Sequence, residues 1–112
     1  MIDTPLLIYT TFPDEKTALG IGEALVRDGL IACLNVIPGM RSVYRFEGRI
    51  EQGSEVVGIL KTVEHRRDAV TATLRDLHPY ETPVILYLAA DADPATLAWL
   101  IANTETTPAI DV

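Results

Sequence analysis

The sequence predicts an α+β protein: a ferredoxin-like βαββαβ sandwich with an added C-terminal helix, occupying residues 1–112 as one domain. Three observations predict it. Apolar, β-prone runs fall at residues 6–11, 31–46, 50–62 and 84–90. Apolar residues at three- and four-residue steps follow the first, third and fourth of these runs, as helices require. A Glu47-Gly48 pair separates the middle two runs and reads as a hairpin turn. Two right-handed crossovers then place both central helices on one face of an antiparallel sheet.

The first strand is Leu6-Leu7-Ile8-Tyr9-Thr10-Thr11, broken by Pro13 and Asp14. Asp14 is suited to cap the free N–H groups of the following helix. Ala18, Ile21, Gly22 and Leu25 form its apolar stripe, and Gly29 is placed to end it in a left-handed conformation. Pro38-Gly39 interrupts the second strand, and a proline that removes a ladder donor predicts a bend or bulge there. Thr62 is expected to cap the second helix, with Val63, Val70, Leu74 and Leu77 on its apolar face and Arg67 within that stripe. His78-Pro79 stops this helix, because the residue before proline is biased away from helical dihedrals. Asp93-Pro94 starts the last helix, on which Leu97, Leu100, Ile101 and Thr104 share a face. The tail, 105–112, is expected to be mobile or docked on a neighbour.

Two features predict that one copy is not enough. Val84–Ala90 lacks the apolar–polar alternation of a strand with one wet face, so both of its faces are expected to be covered. The hairpin strands, some fifteen residues at about 3.3 Å each, make a ribbon on the order of 50 Å long. A domain of this size has a radius of gyration of about 13 Å, so the ribbon must bend back on its own core or overrun it. A projecting hairpin carrying Val43, Tyr44 and Phe46 pairs with something, and another copy is the simplest partner. Trp99 joins this expected oligomer interface.

Composition narrows the function. A net charge of −7 with scattered Lys and Arg argues against a phosphate-backbone partner. No apolar run approaches the roughly 20 residues that cross a bilayer, and no signal segment is visible at the N-terminus. The single cysteine, Cys33, excludes an intramolecular disulfide and fits a reducing compartment, so a cytoplasmic location is expected. There is no nucleophile elbow, phosphate loop or dinucleotide fingerprint, and Gly20-x-Gly22 lies inside a helix, so no enzyme activity is expected.

The segments Ala32-Cys33-Leu34-Asn35-Val36-Ile37-Pro38-Gly39, Ser42-Val43-Tyr44-Arg45-Phe46-Glu47-Gly48, Leu60-Lys61-Thr62 and His78-Pro79-Tyr80-Glu81-Thr82-Pro83 resemble the CutA divalent-cation tolerance family in order and spacing. Residues 87–100, ending in Ala98-Trp99-Leu100, match the family's last strand and helix. Phe46 stands where the family usually carries Trp in its hairpin tip, which keeps an aromatic anchor without the indole N–H. The resemblance implies a ferredoxin-like protomer, a PII-like homotrimer with shared sheet edges, and a part in metal tolerance.

Metal chemistry gets limited local support. Cys33, His65, His78, Glu47 and Glu81 are donors of the right kinds for copper or another divalent cation. None sits in a local ligand spacing, so a site must be assembled from distant segments or different protomers, with Cys33, His78 and Glu81 the chosen candidates. No cofactor is expected to be obligatory. Each candidate has a plain structural reading: Cys33 as a small buried hydrophobe, His78 as a partner of helix-end carbonyls, His65 as solvated. The His-Pro-Tyr-Glu-x-Pro segment is the stronger signal, its two prolines holding Tyr80 and Glu81 rigidly beside His78. It suits either a binding cleft or a structural loop. The rival reading is a PII-like sensor whose inter-protomer cleft, lined by Lys61, Tyr80, Glu81 and Arg45, binds a small anion or a partner protein.

Overall fold

The computed structural model describes residues 3–105. Strand β1 (Pro5–Phe12) leads through helix α1 (Glu15–Arg27) to a long hairpin, β2 (Cys33–Phe46) and β3 (Arg49–Val63). A short 3₁₀ turn (Glu64–Arg66), helix α2 (Arg67–Leu77), strand β4 (Ile85–Ala89) and helix α3 (Pro94–Asn103) follow. The sheet order is β2-β3-β1-β4 with every pair antiparallel, so β2 and β4 are its edges. The α+β sandwich is as the sequence predicted. The tail expectation concerns residues that lie, from 106 on, outside the described ones.

Local chemistry explains the element ends. The Asp14 carboxylate accepts the Thr17 N–H at 2.8 Å, and Asp93 does the same for Thr96 at 3.0 Å. At the end of α1, Gly29 has φ 69°, and the Leu30 and Gly29 N–H groups return to the carbonyls of Leu25 and Val26. That is the paired bonding of a Schellman cap. The four expected stripe residues of α1 are its four buried ones, packing with Leu6, Ile8, Phe12 and Leu60 of the sheet and Val70 and Leu74 of α2. Phe12 lies directly over Gly58, where a Cβ would meet its ring at 2.5 Å.

Three expectations for α2 are corrected. Val63, expected on its apolar face, is instead the buried last residue of β3, paired with Pro5. Thr62 caps no helix: it is the penultimate residue of β3, paired with Leu6, and its hydroxyl donates to the Leu30 carbonyl at 2.7 Å. Pairing with β1 carries the strand past the threonine before any helix starts. Leu77 is 42% exposed, because the last turn of α2 passes beyond the edge of the core. Arg67, the polar break in the stripe, lays its guanidinium 4.3 Å from the centre of the Tyr87 ring.

The hairpin supplies the unusual shape. Pairing runs to Ile37↔Val57 and resumes at Met40↔Glu55, so Pro38-Gly39 forms the expected bulge, with Gly39 at φ 83°. Glu47 and Gly48 both take positive φ, the requirement of a tight two-residue hairpin loop. The ribbon does not fold back on its own core: the molecule is 52 Å along its longest axis, with a radius of gyration of 15.2 Å. Val43, Phe46 and Ile50 are 69%, 55% and 63% exposed. At the opposite edge, β4 presents Tyr87 to α2, whereas Leu86 and Leu88 stay 55% and 48% exposed. Among the described residues, helix α2 covers only the Tyr87 face of β4, so the expected cover over its other face is not supplied by them.

Candidate functional site

His78 closes α2 and is almost fully buried, stacked on Phe12 at 5.1 Å between ring centres. Its Nε2 donates to the Thr11 carbonyl at 2.7 Å, and its Nδ1 accepts the Tyr80 N–H at 3.1 Å. This pairing fits the neutral tautomer that carries its proton on Nε2. Tyr80 tilts against the imidazole, 4.7 Å away, and its hydroxyl donates to Glu55 Oε2 at 2.8 Å. The other oxygen of Glu55 accepts from the Ser42 hydroxyl at 2.7 Å, which also lies 3.1 Å from the Met40 sulfur. One polar node thus joins β1, the loop after α2, and both strands of the hairpin just beyond the bulge.

The electrostatics fit that arrangement. Partial burial pushes the Glu55 carboxyl up, but hydrogen bonds from Ser42, Tyr80 and Thr11 outweigh it, and the group lies below its ordinary value. Burial first, then the bond to Glu55 and its charge, raise the Tyr80 phenol above its usual range, so it remains a donor. The node is built to hold the loop against the ribbon.

A second feature lies at the other end of the sheet. A groove of about 500 Å³ runs between β1 and α3, walled by Leu6, Leu7, Ala95, Trp99 and Leu100. Among the described residues Lys61 is its one basic lining residue, and Trp99 is 45% exposed. The sheet face turned away from α1 and α2 carries Leu7, Tyr9, Val57, Ile59, Leu86 and Leu88, as the strand registers require.

The sequence model of the CutA1 divalent ion tolerance protein family matches residues 6–103, nearly the whole described fold. The chain belongs to that family. The CutA divalent-cation tolerance protein of Escherichia coli is 39% identical over 101 residues, covering 89% of this chain and 90% of that one. Its Thermotoga maritima counterpart is 46% identical over 83 residues, covering 74% and 81%. Among solved structures, CutA1 of Ehrlichia chaffeensis superposes with a TM-score of 0.89 at 31% identity, covering 94% of this chain and 99% of that one. The Cut A1 protein of Thermus thermophilus gives 0.85 at 34% identity, covering 90% and 99%. An Archaeoglobus fulgidus CutA of known structure, with a TM-score of 0.86 at 29% identity over 90% of this chain and 99% of that one, is described as periplasmic. These relatives are named for divalent-cation tolerance, and none of these names is that of an enzyme.

Within one copy of this chain the three metal candidates do not meet. Cys33 pairs with Lys61 at the groove end of the sheet, whereas His78 sits at Thr11, which pairs with Val57. Four residues of strand separate Lys61 from Val57, about 13 Å. Both His78 ring nitrogens are already bonded, and Glu81 is exposed. Among the described residues no three His, Cys, Asp or Glu side chains gather around one point. Lys61, Tyr80 and Arg45 are likewise dispersed: Lys61 lines the groove, Tyr80 binds Glu55, and Arg45 reaches the Gly48 carbonyl at the hairpin tip at 3.5 Å. The relatives are named for divalent-cation tolerance, and the PII-like reading is not favoured. Val43, Tyr44, Phe46 and Trp99 are all exposed. Sequence reasoning missed Glu55, Ser42 and Thr11. Ser42 falls in a segment that carries the family resemblance but was given no role there, and only the register shift at the bulge brings Ser42 and Glu55 together.

Proposed function

We propose that the chain acts as a non-catalytic homotrimer in divalent-cation tolerance, binding copper or another divalent ion weakly. The observation that carries this reading is the uncovered apolar surface of a single copy: Val43, Tyr44, Phe46 and Ile50 on the ribbon, Leu86 and Leu88 on β4. Water-exposed surface of this kind, on two free sheet edges, is stabilised when copies cover one another. The sheet has one long edge, β2, and one short edge, β4, so a head-to-tail ring uses both in every copy. Membership in a family named for divalent-cation tolerance supplies the biological role.

The cation is cargo in this reading, and its donors come from more than one protomer, because the described residues of a single copy do not gather them. Cys33 and Glu81 make no side-chain hydrogen bond among the described residues and are the first candidates, whereas His78 binds a metal only by giving up a ring contact. A cytoplasmic location belongs to the same reading and rests on the lone thiol. Calorimetric titration of the assembled protein with Cu(II) and with Zn(II) tests it. Weak binding that falls in Cys33→Ala and Glu81→Gln supports the assignment. Binding unchanged in both variants removes those residues, and no heat with either ion removes the cation from the proposal.

A further inference from the structure

We propose that the Tyr80–Glu55 hydrogen bond is a latch that sets the angle of the projecting ribbon and so decides whether copies can assemble. The inference rests on the homotrimer reading. β1 ends its pairing at Phe12↔Val56, so from Met40↔Glu55 outward the ribbon has only two strands. A two-stranded ribbon twists and bends more freely than a wider sheet. The Pro38-Gly39 bulge lies at its root, and around Gly39, at φ 83°, an added Cβ would meet no described heavy atom within 4 Å, so the chain there is loosely surrounded. Among the described residues, Glu55 is the one ribbon residue whose side chain hydrogen-bonds the body of the molecule, chiefly to Tyr80 and more weakly to the Thr11 hydroxyl.

The body side of the latch is rigid. Tyr80 is held by the His78 ring, both by a tilted ring contact and through its own N–H, and His78 is anchored to β1 at the Thr11 carbonyl. Prolines at 79 and 83 stiffen the loop on either side. On the ribbon side, Ser42 holds the second carboxylate oxygen from the opposite strand, so Glu55 cannot turn without pulling on β2. Leverage gives the bond its importance. Six strand steps from Met40 to Phe46 span about 20 Å, so a swing of roughly 10° at the root displaces the tip by about 3.5 Å. Val43, Phe46 and Ile50, all more than half exposed, then miss the surface they are to cover.

The test uses the full chain and Tyr80→Phe, which keeps the ring against His78 and removes only the hydroxyl. Light scattering over a dilution series reads assembly. The latch predicts that Tyr80→Phe needs a concentration higher by roughly thirtyfold for half-assembly, because a bond to a charged group, worth about tenfold, is lost in each of three copies and the midpoint follows the square root of the trimer constant. Ser42→Ala is expected to move it in the same direction by less. Assembly of Tyr80→Phe at the wild-type concentration overturns the proposal. A second readout does not depend on assembly: spin labels at Gln52→Cys and Asp76→Cys in a Cys33→Ser background, diluted into unlabelled protein. The inter-label distance distribution is narrow with Tyr80 present and broad in Tyr80→Phe. Equal widths overturn the latch even if the wild type proves monomeric, whereas a monomeric wild type with the expected broadening counts against the trimer and supports the latch.

Discussion

Gly58→Ala is the most demanding test of the core. Gly58 lies mid-strand in β3, between Thr10 on β1 and Val36 on β2. A methyl group there would stand 2.5 Å from Phe12 Cε2, 3.2 Å from Cδ2 and 3.3 Å from Leu34 Cδ1. Ordinary contact begins near 3.4 Å, so the ring must retreat by almost 1 Å. Phe12 is fully buried and stacked on His78, so it has no solvent to retreat into. Overpacking of this kind costs about 1–3 kcal/mol, while alanine regains about 0.5–1 kcal/mol of backbone entropy that glycine forfeits. The expected net loss is about 1–2 kcal/mol, read as a lower urea midpoint with an unchanged slope at fixed protein concentration. Phe12→Leu in the same background should recover part of it by withdrawing the offending ring edge. The same substitution at Gly20, in α1 with open space around it, should instead stabilise by about 0.5–1 kcal/mol. If Gly58→Ala matched or exceeded the wild type, the packing of Phe12 over that glycine would be refuted.

Three further outcomes follow from the same structure. Thr10→Val should leave thermal stability unchanged or raise it by about 1 kcal/mol, because among the described residues the buried Thr10 hydroxyl has no partner to lose; a clear drop in melting temperature would reveal a bond to it. Leu74→Ala, which empties a fully buried position of α2, should cost about 2–5 kcal/mol in chemical denaturation, and a loss under 1 kcal/mol would mean that the site is not packed as described. Glu55 has its carboxyl held below its ordinary value of 4.5, so its contribution is complete above that pH and is lost as the pH falls through the lower folded value; Glu55→Gln should flatten the stability profile between about pH 5 and 3, and identical profiles would argue against the bonds from Ser42 and Tyr80.

What could be read in advance was local. Asp14, Gly29 and Asp93 act on their own helix ends within a few residues, so their roles survive translation from sequence to structure. The Pro38-Gly39 bulge and the Glu47-Gly48 turn are equally local, because ring geometry and positive φ leave few alternatives. Thr62 misled because a capping residue type competes with strand pairing, and pairing with Leu6 decided the outcome. Leu77 misled because periodicity gives the direction of a side chain but not where the core stops. The Glu55 node was beyond reach for a different reason. Its partners lie 13 and 25 residues away in sequence, and their approach depends on a register shift with no residue signature of its own. The metal candidates were chosen by donor type, and donor type carries no information on which end of a strand a side chain occupies: Cys33 and His78 fall at opposite ends.

The mass of the protein in solution bears most directly on the account. Multi-angle light scattering at micromolar concentration should return three times the 12.3 kDa chain mass, and Phe46→Ser should lower that value without loss of helical signal. A stable 12.3 kDa species across the whole concentration range would mean that the ribbon and β4 remain bare in water, and the account of this surface would be wrong.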